Sequence, residues 1–546
     1  MPEFYFYDII RKFIKIYSGE EMEDQMHFVD FVTLCRGKEK IYLSQKEKKI
    51  VEESRGALKS LIKSNPDQVY YGINTGVGAL LKKRIPRRKL REFQENLIMS
   101  HACGVGLSLE KETVKGMMLH MILNLKRGYS GIRLETLELL IEMFNKDIIP
   151  VVPEKGSLGA SGDLVPQAYI SLALIGKGEV WHQGERLSTI SVFEKYKIQP
   201  VKLQTGEAIA LLNGTALMSS LLAFTAHHAD NLIKAAHIAA AMSIAALKGN
   251  IQPFIKESQK LSYHRGREVS AAYLAELLSS KKTTAFQPNE DKSLQDAYSL
   301  RCASRVFGNF LETLYYHVWK VALEEINNFS GNPEIFSKEK KIEQGGNNFH
   351  GQSLAQAADN LSIALTSLAG ISERRIERLL NPSLSGLPPF LTKNSGLNTG
   401  LMIAHYTAAA LVAENRVLAN PASIHSIPVA AGQEDFVSMG ALAARKAWEI
   451  CKNTEYAIAI EILCATQALD FRKPLPESNI KKIHKIVRSY VPHLGRDRKL
   501  DRDIEKIFSL IHNCGNEYQN ENEFLNEVKK TTGIVFFFET DMLDGN

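Results

Sequence analysis

The chain has 546 residues, 45% hydrophobic and 23% charged, the balance of an ordinary globular protein with room for several domains or one large intertwined core. A formal charge of +6 over that length is too weak to argue for a nucleic-acid-binding surface. Six scattered cysteines (Cys35, Cys103, Cys302, Cys451, Cys464 and Cys514) without CxxC spacing exclude a disulfide framework and a thiolate metal site, and fit a reducing cytoplasm.

The opening run, MPEFYFYDIIRKFIKIY, carries charges through its apolar stretch and has no small-residue cleavage site, so it is not read as a secretory leader. Ile9, Ile10, Phe13, Ile14 and Tyr17 recur at helical spacing and predict a packed helix. SQKEKKIVEESRGALKSLIK, from Ser44, is amphipathic, with Ile50, Val51, Ser54, Leu58 and Leu61 on one side. QVYYGI (68–73) and DIIPVVP (147–153) read as strand-like, and the basic run KKRIPRRKLRE (82–92) reads as a solvated loop. Asp163 can cap a helix through LVPQAYISLALIG, with Pro166 in its first turn. Long helices rich in small residues follow at 213–247, 348–380 and 400–419, and the tail TGIVFFFET (532–540) is strand-like and needs a partner surface. The most apolar stretch, Ala235 to Gly249, is too short to cross a membrane and carries His237, so it belongs in a bundle core. Helices apolar nearly all round must be buried between neighbours, which predicts a helical homo-oligomer. The glycines and prolines concentrate in loops at 72–78, 156–162, 345–346 and 386–400, where chemistry tends to sit on a rigid frame.

One of those loops, GSLGASGDLVPQA, raises a specific possibility. Ala160-Ser161-Gly162 lies at the positive end of the helix that Asp163 starts. Gly162 has no Cβ, so its nitrogen can approach the Ala160 carbonyl, and loss of water from Ser161 then leaves an exocyclic methylidene. The product is a methylidene-imidazolone (MIO), an electrophile made from the chain itself. The triplet alone is weak, since average usage gives roughly one chance copy in every few chains of this length. The extended string is far more specific: it resembles the prosthetic-group loop of the aromatic amino acid ammonia-lyases and aminomutases.

That resemblance runs from about residue 28 to 512 and extends to the other parts such a reaction needs. Eliminating ammonia from an aromatic α-amino acid requires a trap for the amine, a base for the β-hydrogen and a cation for the carboxylate. YYGINTGVGAL resembles the family's Tyr-Gly-x-Asn-Thr-Gly string, which makes Tyr71 the base on a glycine-rich loop that can close as a lid; Val77 stands where relatives commonly have an aromatic residue. LQDAYSLRC resembles the Gln-Asp-x-Tyr-Ser-x-Arg segment, with Gln295, Tyr298 and Arg301 three apart on one helical face, a catalytic tyrosine beside a carboxylate clamp. By the same resemblance Asn213 contacts substrate and the prosthetic ring, and Phe349 packs on the substrate ring.

The Ser100-His101 pair and Glu434 within Gln-Glu-Asp resemble the histidine ammonia-lyase branch, as does GLNTGLMIAHYTAAALVAEN with Met402. A carboxylate suits an imidazole, which has an N–H to donate, and is costly beside a phenyl ring. Gly351-Gln352 and His425 depart from the histidine pattern, and Gln352 is reminiscent of tyrosine lyases and aminomutases. The reading is L-histidine to trans-urocanate plus ammonia; a tyrosine or phenylalanine ammonia-lyase, an aromatic 2,3-aminomutase and a non-catalytic helical oligomer are the alternatives. The Gly-Ser-Ser-x-Met-Pro-x-Lys loop of the fumarase and aspartase lyases is absent.

The resemblance implies a mostly α-helical fold, a long-helix bundle of the ammonia-lyase (fumarase/aspartase-like) type with a loop-rich N-terminal MIO region. Its expected divisions are an extension at 1–27, the MIO-bearing region at 28–212, the central bundle at 213–480 and a C-terminal region at 481–546. It further implies a cytoplasmic homotetramer whose sites draw on several subunits, so that Tyr71 and Arg301 come from different chains. The MIO forms autocatalytically from Ala160, Ser161 and Gly162, with no external cofactor. His227 and His228 lack an HExxH or carboxylate set, so they read as core or interface histidines and no metal is expected; neither is nucleic acid or membrane as a partner.

Overall fold

In the computed structural model, residues 25–37, 39–279, 295–475, 477–512, 522–536, 538 and 542 are described. The helix expected around Ile9 to Tyr17 lies outside them. Helix α1 (Phe28–Arg36) buries Phe28, Phe31, Val32 and Cys35. Helix α2 (Gln45–Ser64) begins at a capping box: the Ser44 hydroxyl accepts from the Glu47 amide while the Glu47 carboxylate accepts from the Ser44 amide. Its buried face is Val51, Ser54, Arg55 and Leu58, and the Arg55 guanidinium donates to the carbonyls of Gly131 and Thr205.

The N-terminal half continues through α3 (Leu90–His101), β1 (Val105–Ser108), α4 (Lys111–Leu125), β2 (Ile149–Pro150), β3 (Pro153–Lys155), α5 (Leu164–Leu174), β4 (Glu179–His182), β5 (Glu185–Ser188) and α6 (Glu207–Leu212). Its strands are short and antiparallel, β1 pairing with β3, and β4 lying between β2 and β5. The run expected as a strand at 147–153 is β2 and the first residue of β3. The run at 68–73 is not a strand. Asn74 takes its backbone instead: the Tyr70 amide donates to Asn74 Oδ1 at 2.6 Å and Asn74 Nδ2 donates to the Gln68 carbonyl at 2.9 Å. A side chain that satisfies local peptide groups competes with a ladder and here forms a turn.

The long helices follow: α7 (Ala216–Ala246), α8 (Arg265–Leu278), α9 (Ala303–Glu312), then, after the hairpin β6 (Glu334–Phe336) and β7 (Lys341–Glu343), α10 (Gln352–Leu380), α11 (Met402–Leu418), α12 (Gly440–Asp470), α13 (Asn479–Tyr490), α14 (Asp501–His512) and α15 (Glu523–Thr532). Helix α9 passes through a π-helical stretch, Thr313–Trp319, into a last segment, Lys320–Asn327. At 31 residues, α7 spans about 46 Å. Every residue of α7 is buried except Asp230 and Lys234, which pair with each other at 2.6 Å. Helix α12 packs along both α7 and α10, and these three form the centre of the molecule. Among the described residues no helix is long and apolar enough to cross a membrane.

Inside that centre sits a charge pair with no solvent exposure. The Arg375 guanidinium on α10 grips the Glu461 carboxylate on α12 through Nε at 2.5 Å and Nη2 at 2.7 Å. The remaining lone pairs are taken by Ser243 Oγ of α7 and Ser372 Oγ of α10, both at 2.7 Å.

The tail finds its partner surface within the chain, and no strand pairs with it among the described residues. Ile534, Phe538 and Met542, four apart, are buried, and the Phe538 ring lies 5.0 Å from His237 of α7 and 4.8 Å from Tyr273 of α8. The Phe536 ring joins them, 5.0 Å from Tyr273.

Replacing the carboxylate by Glu461→Gln leaves the Arg375 charge buried without its partner. The expected loss is about 3–5 kcal/mol of folding stability, measured as a shift in denaturant midpoint relative to the parent chain.

Candidate active site

The triplet loop leaves β3 and turns into α5 against the corner between α6 and α7. Gly162 has φ +74°, and a Cβ placed on it would stand 2.0 Å from the Gly214 carbonyl oxygen, so only glycine fits. The Asp163 amide donates to that oxygen at 2.6 Å, and the Gly214 amide donates to the Ser161 carbonyl at 3.3 Å. Gly162 is bridge-paired with both Gly159 and Ala160 across the turn. Tight curvature that brings Gly162 back onto Ala160 is what closure of the ring requires of the backbone.

Asp163 occupies the N-cap position of α5, but its side chain does not cap that helix. The carboxylate accepts from the Met218 amide at 2.9 Å and from Ser157 Oγ at 2.8 Å, so it caps the long helix α7 instead. The reason is geometric: the α7 start carries orphan amides of its own, since Thr215 gives its hydroxyl to Glu325. Burial drives the Asp163 carboxyl up to about 6, against the pull of its hydrogen bonds.

Beside the triplet is a cavity of about 400 Å³ lined by Tyr71, His101, Ser161, Asn213 and Glu434, with Val77, Leu80, Leu97, Leu164, Ile209, Leu212 and Val429 among its apolar walls. Tyr71 sits on a turn pinned at several points: its amide donates to Gln344 Oε1, the Gly72 amide to Thr75 Oγ1, and the Gly76 amide to the Lys83 carbonyl. The loop expected as a flexible lid therefore lies folded over the cavity, with Gly78–Leu80 against Ala430–Gly432. The Gly78 amide donates to the Tyr71 hydroxyl at 3.0 Å. Burial raises the Tyr71 phenol above its ordinary range, the Gly78 bond opposes this, and the Glu434 charge adds to the rise.

At the end of α3, His101 Nδ1 donates to the Leu97 carbonyl at 2.7 Å, which leaves Nε2 as a lone-pair acceptor. Burial lowers this imidazole below its usual range, favouring the neutral ring, and raises Glu434. Asn213 Nδ2 donates to the Asn332 carbonyl at 2.7 Å. That bond fixes the amide with its oxygen left as an acceptor.

The second half of the expected site lies elsewhere. Tyr298–Arg301 is a single helical turn, and Gln295 precedes its N-cap, so the three do not share one helical face. The cause is Asp296, whose carboxylate accepts from the Asn250 amide at 2.6 Å and ties the preceding segment to the loop after α7. Tyr298 is 70% exposed, with the Arg301 guanidinium 4.7 Å from its ring centre, and Arg301 Nε is buried without a partner. Arg375 Nη1 donates to the Ser299 carbonyl. Gly351, at the start of α10, borders Met218 and Ser438 beneath the triplet loop. The two halves are thus separated by the 23 residues of α10 between Gly351 and Arg375, about 35 Å of helix. Phe349 is partly buried just before α10 and does not line the cavity, although its neighbour His350 stacks on Phe436.

A carboxylate does accompany His228. Glu455 and His512 meet it in the core, with His228 Nδ1 3.2 Å from Glu455 Oε1 and His512 Nδ1 2.6 Å from Oε2. Arg36 Nη2 lies 3.0 Å from His228 Nε2, which makes that nitrogen the acceptor and places the ring proton on Nδ1, facing Glu455. A metal ion would need that nitrogen bare, beside a fixed cation. The group is a buried hydrogen-bonded cluster that ties α1, α7, α12 and α14 together, and His228 lies in the core. Burial pushes the Glu455 carboxyl up, and the two imidazoles outweigh it, holding it below the usual range.

Residues 26–489 match the family model described as "Aromatic amino acid lyase". The chain is 42% identical over 512 residues to a histidine ammonia-lyase of Natranaerobius thermophilus, covering 93% of this chain and 98% of the relative. Among solved structures it is similar to histidine ammonia-lyase from Trypanosoma cruzi, at TM-score 0.83 and 35% identity over 93% of this chain and 94% of that one. It is also similar to tyrosine aminomutase from Streptomyces globisporus, at TM-score 0.85 and 32% identity over 94% and 98%.

The buried Asp163 yields a pH test. A carboxyl raised from 3.8 to about 6 holds its proton in the fold when the unfolded chain has lost it. Stability from this group is therefore full below pH 3.8 and falls as pH rises to 6, by about 3 kcal/mol in all. Denaturant titrations across that range compare the parent with Asp163→Asn, in which this component of the slope is expected to vanish.

Proposed function

This chain belongs to the aromatic amino acid lyase family, and we propose that it is an ammonia-lyase that converts L-histidine to trans-urocanate and ammonia. The observation that carries the reading is the cavity itself, which gathers Ser161, Tyr71 and Asn213 with two acceptors, His101 Nε2 and the Glu434 carboxylate. An imidazole offers N–H groups to such acceptors and, when protonated, a positive charge; a phenyl ring offers neither, and leaves a desolvated carboxylate without a partner. The curated relatives named histidine ammonia-lyase support the same choice.

The loop fits the prosthetic group proposed for it, because the Gly162 backbone is cradled where a Cβ would strike Gly214 and the turn pairs Gly162 with Ala160. Ala160, Ser161 and Gly162 would form the MIO, which supplies an electrophile for the substrate amine. The chain's own residues do the rest. Tyr71 Oη, held by the Gly78 amide, takes the β-proton. Asn213, fixed through its amide nitrogen, presents Oδ1 to the substrate's ammonium group or to the loop. The apolar walls from Val77, Leu97, Leu164 and Leu212 exclude water while the carbanionic character develops.

The carboxylate clamp comes from a second copy. About 35 Å of α10 separates the cavity from Tyr298 and Arg301 in one chain, and Arg301 has an unpartnered buried nitrogen suited to a carboxylate. Ile363 of α10 and Ile403 and Tyr406 of α11 expose apolar surface that assembly would cover. A homotetramer with sites shared between chains unites Gln295, Tyr298 and Arg301 with Tyr71 and Ser161, and brings Phe349 to the ring.

Incubation with His, Tyr and Phe, with separation of α,β-unsaturated acids from β-amino acids, tests the reading; urocanate from histidine is expected, and β-tyrosine would identify an aminomutase. Glu434→Gln is expected to lower kcat/KM for histidine by 10-fold or more, about the value of a buried charged hydrogen bond, while raising the tyrosine-to-histidine ratio. Tyr71→Phe and Arg301→Ala are each expected to be inactive alone. Unfolded together and reassembled, they recover activity at roughly a quarter of the sites if each site draws one residue from each of two chains; no recovery counts against shared sites.

A further inference from the structure

The triplet loop is held from two sides, with Gly214 on one of them. The other side is the turn Ser438-Met439-Gly440 at the start of α12, some 280 residues further along the chain. The Met439 amide donates to the Leu158 carbonyl at 2.9 Å, and Met439 holds a left-handed backbone, φ +56°, to do so. A methionine in that region is strained by about 1 kcal/mol or more. The fold maintains the strain against the triplet loop, which marks this turn as more than a helix start.

Ser438 is fully buried between the two segments. Its Oγ accepts from the Gly440 amide at 3.2 Å, and its proton has two acceptors in reach, the Gly159 carbonyl at 3.5 Å and the Met218 sulfur at 4.0 Å, of which the carbonyl is the stronger. Gly159 is at φ +71°, and a Cβ there would lie 2.1 Å from Ser438 Oγ, so only glycine leaves room for this hydroxyl. Met218 closes the back of the site, its sulfur 4.0 Å from Ser438 Oγ and in the space that a Cβ on Gly351 or Gly440 would need. The Gly159 peptide plane sets the torsion of Ala160, whose carbonyl carbon must meet the Gly162 nitrogen.

The structure assigns Ser438 as a positioning residue for ring closure of the triplet, an inference that rests on the proposed MIO chemistry. In closure the Gly162 nitrogen bonds to the Ala160 carbonyl carbon, and its proton moves to the carbonyl oxygen. That hydroxyl leaves as water with the Ser161 amide proton, forming C=N. Ser161 then loses its hydroxyl and its Cα proton as a second water, forming the exocyclic C=C. No oxidant or reductant is involved. Ser438 does no chemistry here; it holds the Gly159 carbonyl so that the five-membered geometry is populated before the first bond forms.

Full-length protein carrying Ser438→Ala or Ser438→Thr is purified by size exclusion to keep only folded, assembled material, and the peptide containing residues 157–163 is weighed. The parent peptide is expected to lack two waters; if it does not, the MIO reading itself fails. With the parent cyclised, folded Ser438→Ala is expected to show a several-fold smaller cyclised fraction, Ser438→Thr to restore it, and KM per cyclised site to stay unchanged. Complete cyclisation of folded Ser438→Ala, or equal deficiency in the alanine and threonine variants, overturns the assignment. Should the alanine variant not fold, Ser438→Cys, similar in size with a weak donor, is read in its place: partial cyclisation is expected, and complete cyclisation overturns the proposal.

Discussion

The architecture depends on one desolvated ion pair. Arg375 and Glu461 have no solvent exposure, and removing two charges from water is costly unless their hydrogen-bonding capacity is filled. Ser243, Ser372 and the Ser299 carbonyl fill much of it. The constraint is directional. Two guanidinium nitrogens meet two carboxylate oxygens only in one register of α10 against α12, and Ser243 fixes α7 to the same point. An all-apolar contact between such alanine-rich helices could slide by a turn with little penalty, because small side chains offer shallow ridges. The pair therefore specifies axial register for the three helices that carry everything else. Through Ser299 it also sets the position of the Tyr298–Arg301 turn.

At the far ends of the same helices the register becomes chemistry. The starts of α7, α10 and α12 come together under the triplet loop: Met218 from the first, Gly351 beside the second, and Ser438 and Gly440 at the third. A slip of one residue in any of them would move a contact that is now at van der Waals distance by about 1.5 Å. Asp163 joins this ensemble at a cost, since its carboxyl is buried and raised, and the Met218 amide and Ser157 hydroxyl offset only part of it. Stability is spent on holding a strained loop, in keeping with where strained backbone is found in proteins.

Helix periodicity and motif spacing made the large features legible in the sequence. Runs as long as 216–246 and 352–380 have no other reading, and GSLGASGDLVPQA, Tyr71, His101, Asn213 and Glu434 all border one cavity or the loop beside it. The misreadings share a cause, which is side chains that act at a distance from their own element. Asn74 turned a strand-like run into a bend by capturing its peptide groups. Asp163 looked like the cap of its own helix and serves another. Glu455 and His512 reach His228 across 227 residues in one case and 284 in the other, so no spacing rule could pair them. The apolar walls, Leu80, Ile209 and Val429 among them, carry no local mark at all. Ser438 is equally silent, a serine next to a helix start that reads as an ordinary turn.

The electrostatics of the cavity lead to the last step. No lysine or arginine lines it among the described residues, while Glu434 and the Tyr71 phenol both do. In such surroundings a base is poorly prepared, because burial and the Glu434 charge both raise the phenol and only the Gly78 amide works against them. A cation arriving near Tyr71 reverses that balance, for opposite charge within a few ångströms lowers a phenol as surely as Glu434 lifts it. Two cations are available on the proposed assembly: the guanidinium of Arg301 from a second copy, and an imidazolium or ammonium of the substrate, which Glu434 would also attract. In the proposed assembly an isolated chain would keep the phenol protonated, and the cations brought by a second copy and the substrate would favour its ionised, basic form. Under that proposal, the length of α10 between Arg301 and Tyr71 in one chain would link catalytic readiness to the oligomer.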